Sequence, residues 1–490
     1  MKKVWKYIII TLLLLLGLCC IGVLYLFFLP GSTLFNITYI NKNKEIKSKY
    51  YEASTVNTIT VNSRAYDFNI LESNTNNVYL EAYANSFGFV LKNNKDLTVS
   101  QSLSNNLLTF NIREPYGFAT KNRSYINLYL PKNKAFNLIL SNKSATTEIK
   151  SENVEINELT YSTEKGNFNF IKGKINSNLN LNIAKSHFKI NKDVVTNLNN
   201  VNIKISTGRF IAEDSSLGNV SITSNKRGVF TIKECKRFET FNDIVVGGQI
   251  TINKVSVLNV NYSNTILSIG EVDTAIATMS ESGSVSINKI NGLSTIETNS
   301  GNIKIDQALS NLTLKSKSGN IYVESASLTV ALTLVDGNAN IKFNTEDHYI
   351  TNPSARTLYA NISNGSLTAS GVEHIGEAKT EEGNITGEGI LITGNGTANI
   401  RMNEVYGKNS VLAENGGSVN IITNKNSVFT LTTQSTSGSV RVNLTQVSEY
   451  GGYTTKTSKT TYVNSLTEST NKLSVLTNLA SITILDTNFA

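Results

Sequence analysis

Proline is nearly missing from this chain of 490 residues, which holds 4. Cysteine (3) and tryptophan (1) are as scarce, and charged residues make up 17% against the usual ~25%. So little proline and charge, beside so many neutral polar residues, excludes a coiled coil, a collagen and a Pro-rich linker protein. Three cysteines exclude a disulfide framework. Cys19 and Cys20 lie in an apolar stretch, which leaves Cys235, expected as a small apolar filler. The formal charge is +8, and Lys2, Lys3 and Lys6 supply three of those charges ahead of that stretch. The remaining excess is too small for a nucleic-acid footprint.

Catalytic and metal signatures are also missing. His187, His348 and His374 are isolated and read as solvated surface residues. There is no nucleophile elbow, phosphate loop or dinucleotide fingerprint, and strands rather than helices follow the glycines. Some β-helices cleave polysaccharides with paired carboxylates, but Asp306 and Asp336 do not occupy equivalent positions. Glu381 and Glu382 are adjacent and point to opposite faces of a strand. The expectation is no enzyme, no cofactor and no metal.

Asparagine is abundant, at 66 residues, and hydrophobic residues are 40%, spaced too regularly for a disordered chain. Residues 7–29 form a charge-free apolar run of 23. As a helix it would span ~34 Å, enough for a ~30 Å hydrocarbon core. The leading reading is an uncleaved transmembrane helix. A cleaved signal peptide is the alternative, although the exit at Leu29-Pro30-Gly31-Ser32 is a poor cleavage site. Leu18 before Cys19 disfavours a lipoprotein. The lysines place residues 1–6 in the cytoplasm and the bulk of the chain outside it.

From residue 150 onward one phrase recurs: a small polar residue, Gly, Asn or Ser, then two β-branched or aliphatic residues spaced by one. The glycines at Gly283, Gly301, Gly319 and Gly337 are 18 residues apart. Further copies stand at Gly166, Gly208, Gly218, Gly228, Gly248, Gly365, Gly383, Gly396, Gly417 and Gly438, and Thr265 fills the same slot. A second apolar pair precedes the glycine, as with Leu312 and Leu314. This predicts an all-β chain: a β-solenoid (β-helix or β-roll) of ~18–21-residue turns with two short strands each, preceded by one transmembrane α-helix. The glycines are expected at corners needing positive φ. The residue before each, such as Ser300, should bond the turn backbone, and the Asn or Ser after it should form a ladder. A string of β-sandwiches would lack the 18-residue period. Expected divisions are 1–6 cytoplasmic tail, 7–29 membrane helix, 30–54 juxtamembrane linker, 55–150 capping segment, 151–445 solenoid, and 446–490 C-terminal loop and final strands. About 15 turns would stack over ~70 Å.

Two candidate binding features remain. Ten extra residues between Gly337 and Gly365 make a loop whose Glu346, Asp347, His348 and Tyr349 are candidate contacts. Lys226, Arg227, Lys233, Lys236 and Arg237 form a basic patch suited to an anionic envelope polymer.

The order of phrases resembles the bacterial putative adhesin domain family. The matching residues are Ile59-Thr60-Val61, then Tyr66-Asp67-Phe68-Asn69-Ile70, then a strand ending Leu130-Pro131, then repeated Gly-Asn/Ser-Ile/Val turns, over roughly 55–440. The resemblance implies a β-solenoid outside the cytoplasm behind one membrane segment, and it brings no catalytic residues. The function expected is an adhesive or structural role at the cell envelope. A stress sensor acting through a membrane partner is the alternative, and a polysaccharide-acting enzyme the remote one. Expected partners are the membrane and an envelope glycan, anionic polymer or surface protein, with no nucleic acid.

Overall fold

The computed structural model describes residues 2–28, 37–64, 67–91, 96–115, 121–132, 134–223, 227–240, 245–344, 356–375, 378–381, 384–387, 389–445, 448–454, 457–463 and 469–488. A helix runs over Lys2–Phe28, its described side chains almost all aliphatic or aromatic and exposed. Among the described residues no helix is long and apolar enough to cross a membrane. Side chains in this helix are described continuously only over residues 9–22, shorter than the ~20 residues a span requires. Everything after it is strand and turn. The chain forms two compact units: residues 1–176 with 193–195, and residues 177–192 with 196–490.

In the first unit two sets of strands pair. In one, Ile37–Lys47 runs antiparallel to Asn77–Leu91, which runs antiparallel to Lys121–Pro131. Parallel pairing then takes over through Asp67–Ser73, Thr147–Ile149 and Phe168–Phe170. In the other, Thr98–Ser104 is antiparallel to Leu107–Arg113, and Thr58–Asn62, Ala135–Asn142 and Glu155–Thr163 follow in parallel. Residues 37–47 are therefore a strand where the sequence predicts a linker. Their polar and charged side chains hide the alternation. Only Ile40 is buried, and eleven consecutive residues pair with Asn77–Leu91.

In the second unit the 18-residue period becomes a parallel register. Val285 pairs with Ile303, Ile303 with Ile321, and Ile321 with Ala339. A second ladder stacks Ile296, Leu314, Leu332 and Ala360 in the same way. The two strands per turn read from the sequence are these ladders, and the stacking is solenoid-like. Ile287, Ile305, Val323, Ile341, Ala369, Ile400, Ile421 and Ile484 make one continuous inward column, all buried. Each such side chain contributes ~1.5–3 kcal/mol of burial. Earlier turns use rings instead: Phe188 stacks on Phe210 at 5.9 Å, and Phe210 registers with Phe230. There the strands run through the corners without a break, up to 35 residues in Val245–Met279, rather than as two short segments.

The C-terminal order departs from the sequence. Lys472–Thr477 and Ser481–Thr487, the predicted final strand pair, are inserted between earlier turns. Ser481–Thr487 pairs with both Ser418–Asn424 and Ser439–Asn443, and Lys472–Thr477 pairs with both Lys408–Ala413 and Thr430–Ser435. The spatially last turn is thus 430–443. The Thr- and Ser-rich segment expected as a loop is a hairpin, Ser448–Thr454 with Thr457–Val463, laid antiparallel on Thr430–Ser435. An antiparallel hairpin occupies a strand edge that a parallel stack would leave open.

Candidate functional site

The recurring glycines do not stand where they do chiefly because of positive φ. Gly337 (φ +101°) and Gly417 (φ +106°) take that conformation, but Gly283, Gly301 and Gly319 do not. What these positions share is crowding from the preceding turn. A Cβ on Gly301 would lie 2.2 Å from the carbonyl oxygen of Gly283, and one on Gly319 1.8 Å from that of Gly301. The column admits only hydrogen because each turn passes over the last at backbone distance. Gly383 and its turn lie outside the described residues.

The turn is held by a hydroxyl three residues before the glycine. The Gly301 amide donates to Thr298 Oγ1 (2.7 Å), whose hydroxyl donates to the Gly301 carbonyl (3.1 Å). Ser316 makes the same pair with Gly319. The residue before the glycine, expected in this role, bonds elsewhere: Ser318 Oγ donates to the Asn299 carbonyl at 3.2 Å. The ladder after the glycine does form. Asn320 receives its amide's bond from Asn302 Oδ1 at 3.1 Å, and Asn338 Nδ2 donates to Asn320 Oδ1 at 3.2 Å.

Irregularity concentrates at one corner, between the first and second strand of a turn. Asn338 registers with Ser366, 28 residues on, and Ser366 with Thr397, 31 on, against 18 in the regular turns. The extra residues fall between Phe343 and Leu358, and between Val372 and Ile390. The hairpin over 448–463 leaves from the same corner, between Asn443 and Lys472. The candidate contacts Glu346, Asp347, His348 and Tyr349 lie outside the described residues.

Beneath the two insertions sits a pair that sequence reading missed. Arg356 Nη1 meets Glu373 Oε1 at 2.5 Å, with side chains only 11% and 12% exposed. Burial pushes the Glu373 carboxyl above its ordinary range. Arg356 opposes that shift, and Glu404 adds to it. Next to this pair, His374 Nε2 donates to the Lys408 carbonyl at 3.2 Å, and Nδ1 lies 3.4 Å from Thr357 Oγ1. His374 is therefore half-buried in a polar seam, not solvated. Asn409, buried, donates to the carbonyls of Tyr406, Gly407 and Lys472 and accepts from the Ile375 amide at 2.7 Å. These contacts clamp the chain on either side of each insertion. The residues involved are 17 or more apart in sequence, and no motif signals them.

The basic patch is broken up by acidic neighbours. Lys226 lies outside the described residues. Lys233 faces Asp214 at 3.7 Å, and Arg237 pairs with Glu239 at 2.5 Å. Arg227 and Lys236 are exposed. Cys235 registers between Leu217 and Val255 in the core, where burial pushes its thiol up to about 12. No group of three or more His, Cys, Asp or Glu side chains that could hold a metal ion occurs among the described residues. Asp306 is taken by Lys304 at 2.9 Å.

Stacked parallel turns, an inward apolar column and insertions confined to one corner define a repeat β protein of the surface-module kind. The chain belongs to the Toastrack DUF4097 family, which it matches over residues 56–386. The likeness to the adhesin-type domains read from the sequence is borne out by that match. No curated protein matches the chain. Among solved structures it matches a putative cell adhesion protein from Clostridium sporogenes ATCC 15579, at 8% identity over 91% of this chain and 100% of that one. The TM-score is 0.14, so this likeness carries no argument.

Proposed function

We propose that this chain is a non-enzymatic surface module of the cell envelope with an adhesive or structural role. In this reading the helix Lys2–Phe28 anchors it in the membrane, and the strands lie outside the cytoplasm. One observation carries the proposal. The irregular segments all leave the stack from one corner, over a base fixed by the Arg356–Glu373 pair and by Asn409. In a repeat protein, insertions gathered on one side of a rigid stack present a contact surface. Side-chain ladders of Asn along the turns add many weak, repeated hydrogen-bonding positions.

The test is binding of the full chain, reconstituted in vesicles, to isolated envelope fragments and to cell surfaces over a salt series. Saturable binding that survives high salt supports the reading. Replacing residues 345–355 by a short Gly-Ser link should weaken it. Binding lost at moderate salt would shift the contact to exposed Arg227 and Lys236 and an anionic polymer. No binding to any surface would overturn the adhesive role and favour a sensor working through a membrane partner, to be sought by crosslinking. Protease added to intact cells should digest residues beyond 36, and full protection would overturn the orientation.

A further inference from the structure

The strand Asn77–Leu91 in the first unit has antiparallel partners on both sides. Its even positions, Val78, Leu80, Ala82, Ala84 and Ser86, are buried. Its odd positions form the opposite face, and that face is aromatic. Tyr83 stacks on Tyr125 (centroids 5.2 Å, 20° between planes) and Tyr79 on Tyr129 (4.4 Å, 9°), while Tyr39 meets Phe89 edge-on at 5.5 Å. Tyr39 is 57% exposed, Phe87 47% and Tyr125 42%. Rings on a core-facing side need no explanation, but a contiguous set on the solvent side of a sheet marks a contact surface.

The polar groups between the rings say what kind of contact. The side-chain amides of Asn41, Asn43 and Asn85 and the hydroxyls of Tyr83 and Tyr125 have no hydrogen-bond partner among the described residues. All lie on the aromatic face by register: Asn41 opposite Phe87, Asn43 opposite Asn85, Tyr83 opposite Tyr125. The charges there are already matched internally. Lys47 binds Glu81 at 2.9 Å and lies 3.8 Å from Glu45, and the Tyr129 hydroxyl donates to Glu81 at 3.0 Å. A surface of rings with unmet neutral donors and acceptors, and charge cancelled within itself, complements a ligand that is uncharged, has apolar faces and is rimmed with hydroxyls.

We infer that this face binds a neutral glycan, with pyranose C–H faces against the exposed rings and hydroxyls bonded to the Asn amides and Tyr hydroxyls. The inference rests on the surface role proposed above and names its ligand class. A lipid interface would also accept tyrosines, but Lys47 there is held by carboxylates rather than free for anionic headgroups. Sheet pairing holds the rings in place before the ligand arrives, so little ordering is needed on binding.

The test is affinity electrophoresis of the full chain in detergent through gels containing galactomannan, β-glucan, mannan or alginate. It is joined by flotation of the reconstituted chain with phosphatidylethanolamine–phosphatidylglycerol vesicles. Retardation by at least one neutral polysaccharide, unchanged by salt, is expected. Tyr83→Leu with Tyr125→Leu, which keeps apolar area but removes rings and hydroxyls, should weaken it ten-fold or more. Asn85→Ala, which touches no core residue, should weaken it several-fold and serves if the double variant misfolds. Lys47→Gln should leave it unchanged. Retardation by alginate alone, response to vesicles alone, or neutral retardation indifferent to the variants would each overturn the inference. If the variants still bind envelope fragments as the parent does, the glycan face falls and the surface role stands. If the parent binds no envelope material, the surface role falls first.

Discussion

Gly319→Ala isolates what the glycine column does. Its backbone φ is one that alanine also takes, so the usual expectation is a gain of ~0.4–1 kcal/mol from a stiffer unfolded chain. The structure predicts the opposite sign. The new methyl would sit 1.8 Å from the Gly301 carbonyl oxygen, roughly half an ordinary contact distance. The contact is backbone to backbone, so no rotamer change relieves it and adjacent turns must separate. That strains the bonds holding them there: the Ile303 amide to the Asn320 carbonyl (2.8 Å), the Ser318 amide to the Asn299 carbonyl (2.8 Å) and the Asn320 amide to Asn302 Oδ1 (3.1 Å). Losing two or three such bonds at ~1 kcal/mol each, plus ~1–3 kcal/mol of overpacking, makes the net cost ~3–4 kcal/mol. In a stack of repeats the loss is local, so the assay is amide hydrogen exchange of the purified chain across residues 302–326, expected about a hundred-fold faster than in the parent. Gly247→Ala is the control. Its φ is +67° and its Cβ would meet only Arg227 Cγ at 3.4 Å, so it should cost only ~1–2 kcal/mol. A Gly319→Ala effect under ~1 kcal/mol, or one equal to the control, would refute the crowding argument.

Three further outcomes are expected. Because burial raises the Glu373 pKa above its unfolded value near 4.5, the folded chain holds that proton more tightly. The associated stability is fully present below the unfolded value and is lost as pH rises through the folded one. Exchange at the Tyr406 amide, which bonds the Glu373 carbonyl, should therefore be slower near pH 4 than at pH 7 after correction for intrinsic rates, with Glu373→Gln abolishing the difference. At neutral pH, Arg356→Met should cost ~3–5 kcal/mol by leaving a buried carboxylate without its partner, and a melting temperature within a degree of the parent's would contradict this. Thr298→Ala should cost ~1–3 kcal/mol by orphaning the Gly301 amide, while Thr298→Ser should be nearly neutral in thermal or denaturant melts. In a Cys19→Ser/Cys20→Ser background, Cys235 should resist maleimide at pH 8 until the chain is denatured, since its thiol is buried and held near pKa 12; rapid labelling of folded protein would show the core open there.

The repeat was legible because it is one-dimensional. Leu312 and Leu314, then Ile321 and Val323, sit at period two within a strand and period 18 between turns, and neither depends on distant contacts. The aromatic face was not legible. In Asn77–Leu91 both faces carry apolar residues, Val78, Leu80 and Ala82 inward and Tyr79, Tyr83 and Phe87 outward, so no alternation separates core from surface. Residues 37–47 failed in the opposite way, with too few apolar side chains to announce a strand that main-chain pairing holds in place. The Arg356–Glu373 pair joins residues on either side of one turn, and nothing local in either segment marks it.

By itself the sequence determined the all-β class, the length of a turn, the inward column and the corner where extra residues leave. Each follows from chain periodicity and from glycine's lack of a side chain. Only the tertiary structure decided why those glycines are required, which strands close the end, and which polar groups are buried together. Those depend on one turn's backbone lying against another's. The insertion of 472–487 between turns that precede it in the chain shows the reason. Every turn presents nearly the same pattern of inward apolar residues and edge amides, so local chemistry permits many stacking orders. The order adopted is set by the contacts of the whole stack.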